Sequence, residues 1–254
     1  MTGARVGIVV PTLGTRPEYL QQSLQSIRNS GEAHICVVCP ALIDLSEYVN
    51  EGLIDSQIDD PGSGLAGAIN VGINSLPAEI SMVSWIGDDD LLESGMLRET
   101  SHILSSGKID FVWGQCRYID SENRRLWINR SGAWAKYLIR FGPNLIPQPG
   151  SLFSRRSFDE LGGLSTEFSW AFDQEFFTRL LKEFPSAYIP EVVASFRWHK
   201  GSLSAGARAG SVSESSIIRV RHMPIFLRFL SRLWEPMVRR SIMYAGKRTS
   251  KISK

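Results

Sequence analysis

Three cysteines in 254 residues are too few for a disulfide framework, and their odd number argues against systematic pairing. Cys36 and Cys39 form a C-x-x-C, but it lies inside HICVVCP, a β-branched run whose spacing of three sends the two thiols to opposite faces of a strand. A zinc site would need further ligands at a recognisable spacing, and only Cys116 and four scattered histidines remain. Long apolar runs are missing too. Nothing reaches the roughly 18 consecutive apolar residues of a membrane span, and the apolar run in MTGARVGIVVPTLG is too short for a signal-peptide core and stops at Pro11. The expected location is a reducing one, the cytoplasm. Neither sign of charge prevails: 28 Lys+Arg against 26 Asp+Glu give a formal +2. With 43% hydrophobic residues, that balance excludes a disordered, collagen-like or disulfide-stapled chain.

The even balance conceals a split. Residues 217–254 carry ten basic residues against Glu235 alone, a local +9 that leaves the first 216 residues at −7. An acidic body with a basic tail is expected to meet two different partners. No nucleic-acid partner is expected.

Strand-like and helix-like segments alternate through the first half. ARVGIVV reads as a buried strand, and PEYLQQSLQSIRNS follows with Tyr19, Leu20, Leu24 and Ile27 at helical spacing and Pro17 in its first turn. HICVVC is a second strand and GLIDSQI a weaker third. LAGAINVGINSL is a small-residue helix suited to close packing on a sheet, and EISMVSWIG is a fourth strand. SGMLRETSHILSSG and IDFVWG add another helix and strand. The predicted class is α/β, a mostly parallel sheet flanked by helices, with the site on loops at strand carboxyl ends. Beyond about residue 115 a hairpin turns at Ser121 to Asn123, FDQEFFTRLLKEF is helical, and PSAYIPEVVASFRWH alternates like a strand near a sheet edge. Three parts are expected: a body over 1–205, with halves at about 1–115 and 116–205, a Ser/Gly/Ala-rich linker or lid over 206–216, and the tail over 217–254.

Asp88-Asp89-Asp90, directly after a hydrophobic strand, carry the clearest chemical signal. Adjacent carboxylates repel one another and persist most readily around a cation, and oxygen-only ligands suit Mg²⁺ or Mn²⁺. The plain alternative is that Asp90 caps the helix that follows. PTLGTRPEYL sets Thr12, Thr15 and Arg16 between the first strand and helix, where backbone amides can meet a diphosphate. Gly62, Gly64 and Gly67 stand at G-x-G-x-x-G spacing, but after a poor strand and away from the first βα turn. Trp170 is either a sugar-stacking face or core, Arg155 and Arg156 either phosphate contacts or a solvated helix start, and Lys200 with Arg208 candidates for closing over a diphosphate.

In order along the chain, six segments carry a resemblance: VGIVVPTLGTRPEYLQQSLQSI, GSGLAGAINVGI, WIGDDDLLESGML, PQPGSLFSRRSFDELGGLSTEF, AFDQEFFTRLLK and FRWHKGSLS. They resemble the inverting family 2 glycosyltransferases with the GT-A fold, over about 200 residues from Val6 to Ser204. The resemblance makes 1–205 a catalytic domain with a nucleotide-sugar half and an acceptor half. It implies that Pro11, Thr12, Thr15, Arg16, Gly64, Asn70, Asp88 and Asp89 meet the nucleotide sugar. It places Gln148 and Trp170 on the acceptor side, Asp173 as general base with Glu175 in reserve, and Asp88, Asp89, Asp90 and His199 around Mn²⁺ or Mg²⁺. Two registers of the DxD stay open: Asp88 with Asp90, or Asp89 as the ligand with Gly87 in the place of the first acid. Cys39 and Pro40 stand where the family often has acids for the nucleotide base, which leaves UDP-, dTDP- and GDP-linked donors open.

The implied activity is transfer of a sugar from a nucleotide diphosphate to a hydroxyl of a glycan or lipid-linked saccharide, as in bacterial cell-surface polysaccharide synthesis. The apolar neighbours Trp170, Phe172, Phe176 and Phe177 are expected to raise the Asp173 pKa. Two rivals stand beside it: an NAD-dependent oxidoreductase using the glycine turn, and a non-catalytic protein of the same fold. In the tail, helical winding of MPIFLRFLSRLWEPMVRR puts Phe226, Leu227, Phe229, Leu230, Leu233, Trp234, Met237 and Val238 on one side. Arg228, Ser231, Arg232, Glu235 and Arg239 fall on the other. Such a helix suits the inner membrane surface, the catalytic body or a homodimer partner.

Overall fold

The computed structural model describes residues 6–199, 208–228 and 233–240. Its elements run β1 (Val6–Pro11), α1 (Pro17–Ser30), β2 (His34–Cys39), α2 (Ser46–Asn50), β3 (Ser56–Asp59), α3 (Gly64–Ser75), β4 (Met82–Trp85), β5 (Leu91–Leu92) and α4 (Met96–Ser105). They continue with β6 (Phe111–Ile119), β7 (Arg125–Asn129), α5 (Ala135–Leu138), β8 (Leu152–Ser154), α6 (Arg155–Glu160), α7 (Phe172–Glu183), β9 (Ser186–Arg197) and α8 (Arg208–His222).

One sheet organises them, in the order β3-β2-β1-β4-β8-β6-β9-β5, with β7 paired to β6. The β3-β2-β1-β4 half is parallel, as expected of a strand-helix alternation. The antiparallel β8 then reverses the sheet against both β4 and β6, while β6 and β9 again run parallel. The sheet is thus mixed, and its parallel half carries the loops that follow β1 and β4. The β6–β7 hairpin turns where expected, with Asn123 at φ 64, a left-handed position that asparagine tolerates.

Alternation along β1 and β2 feeds two cores. Val9, Cys36 and Val38 face one core, built with α3, α6, α7 and Ile218 of α8. Ile8, Val10, Ile35, Val37 and Cys39 face the other, built with α1 and α4. Cys36 and Cys39 therefore do lie on opposite faces, both buried and free. The small-residue helix α3 packs closely on the sheet, because Gly72 brings its backbone onto the β-branched residues of β1 and β2. A Cβ at Gly72 would lie 2.6 Å from Val9 Cγ1 and 2.8 Å from Val38 Cγ2.

Two expectations about the carboxyl-terminal part need correction. The linker expected over 206–216 is helical from Arg208 onward, and position 217 falls inside the same helix, α8. Ile218 and Arg219 are fully buried, so α8 belongs to the body. The winding of the tail is also turned about. Glu235, expected on the polar side opposite the apolar face, is buried in an ion pair with Arg219, with Nε–Oε1 at 2.6 Å and Nη2–Oε2 at 2.9 Å. Phe226, Leu233 and Met237, at 73%, 75% and 69% exposure, face outward. A buried arginine demands its counter-ion more strongly than scattered apolar residues demand cover. Lys200, the Arg208 side chain, and the expectations for residues 229–232 and 241–254 lie outside the described residues.

Candidate active site

β4 delivers the three aspartates. Its last residue, Trp85, is buried against Phe153, Phe176 and Phe177, and the chain then turns at Gly87 with Asp90 N donating to Gly87 O at 3.2 Å. A Cβ at Gly87 would lie 2.9 Å from Asp89 Oδ1 and 3.1 Å from Asp90 Oδ2, so glycine is what lets the carboxylates fold back over the turn.

The three carboxylates diverge. Asp88 accepts from Thr12 Oγ1 at 2.5 Å and from Arg16 Nη2 at 2.5 Å. Asp89 accepts from Arg16 Nη1 at 2.7 Å and lies 2.8 Å from His199 Nε2. Asp90 turns inward and accepts the Arg197 amide at 2.9 Å. Burial pushes the Asp88 pKa up against the Thr12 hydrogen bond and the Arg16 charge. Asp90 is raised well above its ordinary value, first by burial and then by the charge of Asp89 beside it. Asp90 therefore differs from the other two members of the expected ligand set: its carboxylate is bonded to the backbone of β9.

Arg16 Nη1 also lies 3.1 Å from His199 Nε2. That nitrogen can donate to Asp89 or accept from Arg16, not both, so the guanidinium and the imidazole compete for one carboxylate. Among the described residues no three His, Cys, Asp or Glu side chains converge on one point. The nearest approach to a donor set is the Asp89–His199 pair with Asp88 beside it. A hard divalent ion held by one or two carboxylates and completed by substrate phosphates needs no more, and the pair fits such an ion once Arg16 releases Asp89.

Asp173 sits at the start of α7, whose Phe172 packs on Trp85 with ring centroids 6.3 Å apart, so this helix is keyed to the strand that the aspartates follow. The residue keeps part of its surface open yet is surrounded by protein. Burial raises its pKa to about 6, against hydrogen bonds from the Gln174 amide at 2.7 Å and Asn144 Nδ2 at 3.3 Å. The raised value expected from the aromatic surroundings is thus found. Glu175 is no reserve base. Its carboxylate is buried and clamped by Arg179, Nε–Oε1 and Nη2–Oε2 both 2.7 Å, and Arg179 in turn holds the Leu161 and Gly163 carbonyls. Burial raises the Glu175 pKa, but the bonds from His222 and Arg179 outweigh it and leave it lowered.

Asn70 is also spent elsewhere. Both ends of its amide bond the Leu164 backbone at 2.8 Å, tying α3 to the Gly162-Gly163 turn rather than reaching a donor. Gln148 donates to the Trp85 carbonyl at 2.6 Å and so links the loop before β8 to β4. Pro11 ends β1, Thr15 is exposed beside Arg16, and Gly64 opens α3 at φ 80 with free space around it. Trp170 is 39% exposed and lies against Gly210 of α8. Arg156 pairs with Asp110 at 2.9 Å and Arg155 bonds the Leu76 and Pro77 carbonyls, both at the helix start α6, so neither faces the aspartates. The glycine turn follows β3, the edge strand, which removes the structural context a dinucleotide fingerprint needs. Sequence reasoning missed Asn144, Arg197 and Glu214. Each acts across a long sequence separation, and only the hairpin turn before β7 hinted at what Arg197 would bind.

No family model and no curated protein sequence matches the chain. Solved structures do. The mannosyltransferase PcManGT from Pyrobaculum calidifontis, in complex with GDP-Man and Mn²⁺, superposes with a TM-score of 0.68 at 16% identity, over 96% of this chain and 73% of that one. S. aureus TarS 1–349 in complex with UDP-GlcNAc gives 0.63 at 13% identity, over 85% of this chain and 66% of that one. The chain has the GT-A glycosyltransferase fold. It spans about two thirds of the length of that TarS fragment. Within the GT-A fold, the aspartates follow the carboxyl end of the parallel strand β4, and Phe172, next to the base candidate on α7, packs on Trp85, the last residue of that strand.

Proposed function

We propose that the chain is a metal-dependent, inverting glycosyltransferase that moves a sugar from a nucleotide diphosphate to a hydroxyl of a saccharide acceptor. The observation that carries this is the part-exposed, desolvated carboxylate of Asp173, on a helix whose Phe172 packs on Trp85, the end of the strand that Asp88 and Asp89 follow. Similarity in fold to structures holding UDP-GlcNAc and GDP-Man supports a nucleotide-sugar donor.

Asp173, with its pKa at about 6, is ionised at neutral pH yet basic enough to take a proton as it is lost. It removes the acceptor hydroxyl proton while that oxygen forms a bond to the anomeric carbon, and the bond to the phosphate oxygen breaks on the opposite face. One carboxylate is enough because the leaving diphosphate needs charge stabilisation rather than a proton. Inversion follows from a single in-line displacement, in contrast to the two closely spaced carboxylates of a retaining hydrolase. A divalent Mn²⁺ or Mg²⁺ would be held by Asp89 and His199, with Asp88 beside them, and supplies that stabilisation when bound. Arg16, once displaced from Asp89, is placed to follow the negative charge onto the diphosphate.

Exposed Trp134, Tyr137 and Phe141, in the acceptor half with Trp170, suit stacking on sugar faces. The outward Ile225, Phe226, Leu233 and Met237, among the arginines at 228, 239 and 240, suit contact with an anionic membrane carrying a lipid-linked acceptor. No helix of the described residues is long and apolar enough to cross a membrane.

The experiment is incubation with Mn²⁺ or Mg²⁺ and a panel of nucleotide sugars, with release of nucleoside diphosphate followed with and without saccharide acceptors. Metal-dependent release that D173N abolishes while donor still binds is the expected result. Full transfer by D173N removes Asp173 from its role.

A further inference from the structure

Helix α7, which carries Asp173, begins without a cap of its own. Its Ncap residue is Ala171, whose side chain can accept nothing. The backbone that leads into it is held by a carboxylate from α8. Glu214 Oε2 accepts the Trp170 amide at 2.8 Å and the Ala171 amide at 2.9 Å, and Oε1 accepts the Ser169 amide at 3.0 Å. Three consecutive backbone donors thus close on one carboxylate from 43 to 45 residues away, immediately ahead of the helix that carries the base.

The rest of α8 is built to hold that carboxylate in place. Ser215 donates to Gln174 Oε1 at 2.5 Å, one residue from Asp173. Arg219, fully buried, bonds Ser215 Oγ at 2.6 Å and closes on Glu235. Arg221 pairs with Glu167 through two bonds of 2.6 Å, fastening the near end of the 167–171 loop. None of these contacts is needed merely to bury apolar surface, since Val212, Ile218 and Met223 already do that.

We propose that Glu214 is a positioning residue for the base, fixing from another element the chain that enters α7, up to its Ncap amide, so that α8 completes the active site. The proposal rests on Asp173 being the base. A carboxylate at a helix amino terminus satisfies donors that are otherwise unpaired and complements the helix dipole. Placement matters because small displacements of a base cost large factors in rate. Among the described residues, Glu214 from α8 and Tyr118 from β6 are the charged or titratable groups facing Asp173; burial is the main cause of its raised pKa, and the Glu214 charge adds to it.

The test uses the full chain and the variants E214A, E214Q and D173N. E214A is expected to lower kcat roughly 10- to 100-fold while the donor Kd stays within about 2-fold, because the diphosphate side is untouched. E214Q keeps an acceptor oxygen but no charge. It should retain more kcat than E214A, while in both variants the acid limb of the pH profile moves to lower pH. Amide hydrogen exchange supplies a readout free of activity, with Trp170 and Ala171 losing protection in E214A. D173N inactive beside an E214A of wild-type kcat and pH profile overturns the Glu214 proposal alone. Wild-type turnover by D173N overturns the base assignment beneath it. Unchanged exchange at Trp170 and Ala171 in E214A overturns the positioning role whatever the rates.

Discussion

Replacing Asp173 by asparagine should stabilise the protein while removing its turnover, and the gain should depend on pH. The folded protein holds the Asp173 pKa at about 6 against an ordinary 3.8, with burial as the main cause. A group whose pKa is raised on folding binds more protons in the native state between those two values, so stability falls as pH rises through that window and is flat above it. Two pKa units at 1.36 kcal/mol each give a penalty of about 3 kcal/mol at most once Asp173 is ionised. D173N carries no such penalty. Its advantage over wild type should be near zero at about pH 4, open between about pH 4 and pH 6, and stay constant above. For a chain of this length, each 1 kcal/mol moves Tm by roughly 2–4 °C. The assay is urea unfolding of both proteins across that pH range, with donor binding measured on each to show that the site is intact. A gap that does not change with pH, or a D173N less stable than wild type at neutral pH, refutes the claim that Asp173 is desolvated by the fold. It would also remove the physical basis for its use as a base.

Arg16 neutralises Asp88 and Asp89 through bonds of 2.5 and 2.7 Å, so R16A should melt earlier without metal and gain more Tm than wild type on addition of Mn²⁺. An equal metal response in the two proteins would show that Arg16 does not stand in the ion's place. Alanine at Gly72 would put its Cβ 2.6 Å from Val9 Cγ1, and G72A should lower stability by roughly 1–3 kcal/mol in denaturant titration. Loss of less than a few tenths would mean that α3 sits further from the sheet. Burial raises the Glu235 pKa, but the Arg219 bonds dominate and leave it lowered, so its stabilisation is present above the ordinary carboxylate range and lost as pH falls through the folded value. Residues 233–240 should accordingly become protease-sensitive in acid before the body unfolds, and R219A should show the same sensitivity at neutral pH. Resistance of R219A to cleavage there would show that the ion pair does not hold the helix.

The fold was largely legible because its signals are local. The β-branched runs at β1 and β2, the helical spacing in α1 and the small residues of α3 each declare an element within a dozen residues. Strand reversal at β8 was not legible, since three residues, Leu152 to Ser154, carry no sign of direction. The candidate site was legible in part for the same reason. Asp88 and Asp89 announced themselves as adjacent acids after a strand, whereas Asp173 was singled out by the resemblance of its segment, its apolar neighbours adding only the expectation of a raised pKa. Equivalent-looking residues could not be sorted: Asp90 and Glu175 share their neighbours' chemistry and differ only in what they meet, the Arg197 amide and Arg179.

The charge division into an acidic body and a basic end was readable from the sequence, and it located where carboxylates gather. The sequence also determined, through local pattern, that an α/β sheet would bring strand ends together. Tertiary structure alone decided that Arg219 and Glu235 would be buried as a pair, turning the end helix so that its apolar residues face out. It alone set Glu214 under the start of α7. The reason is physical: periodicity records which residues share a face, whereas the direction of that face is chosen by partners far away in the chain. A buried charge must find its counter-charge or leave the interior.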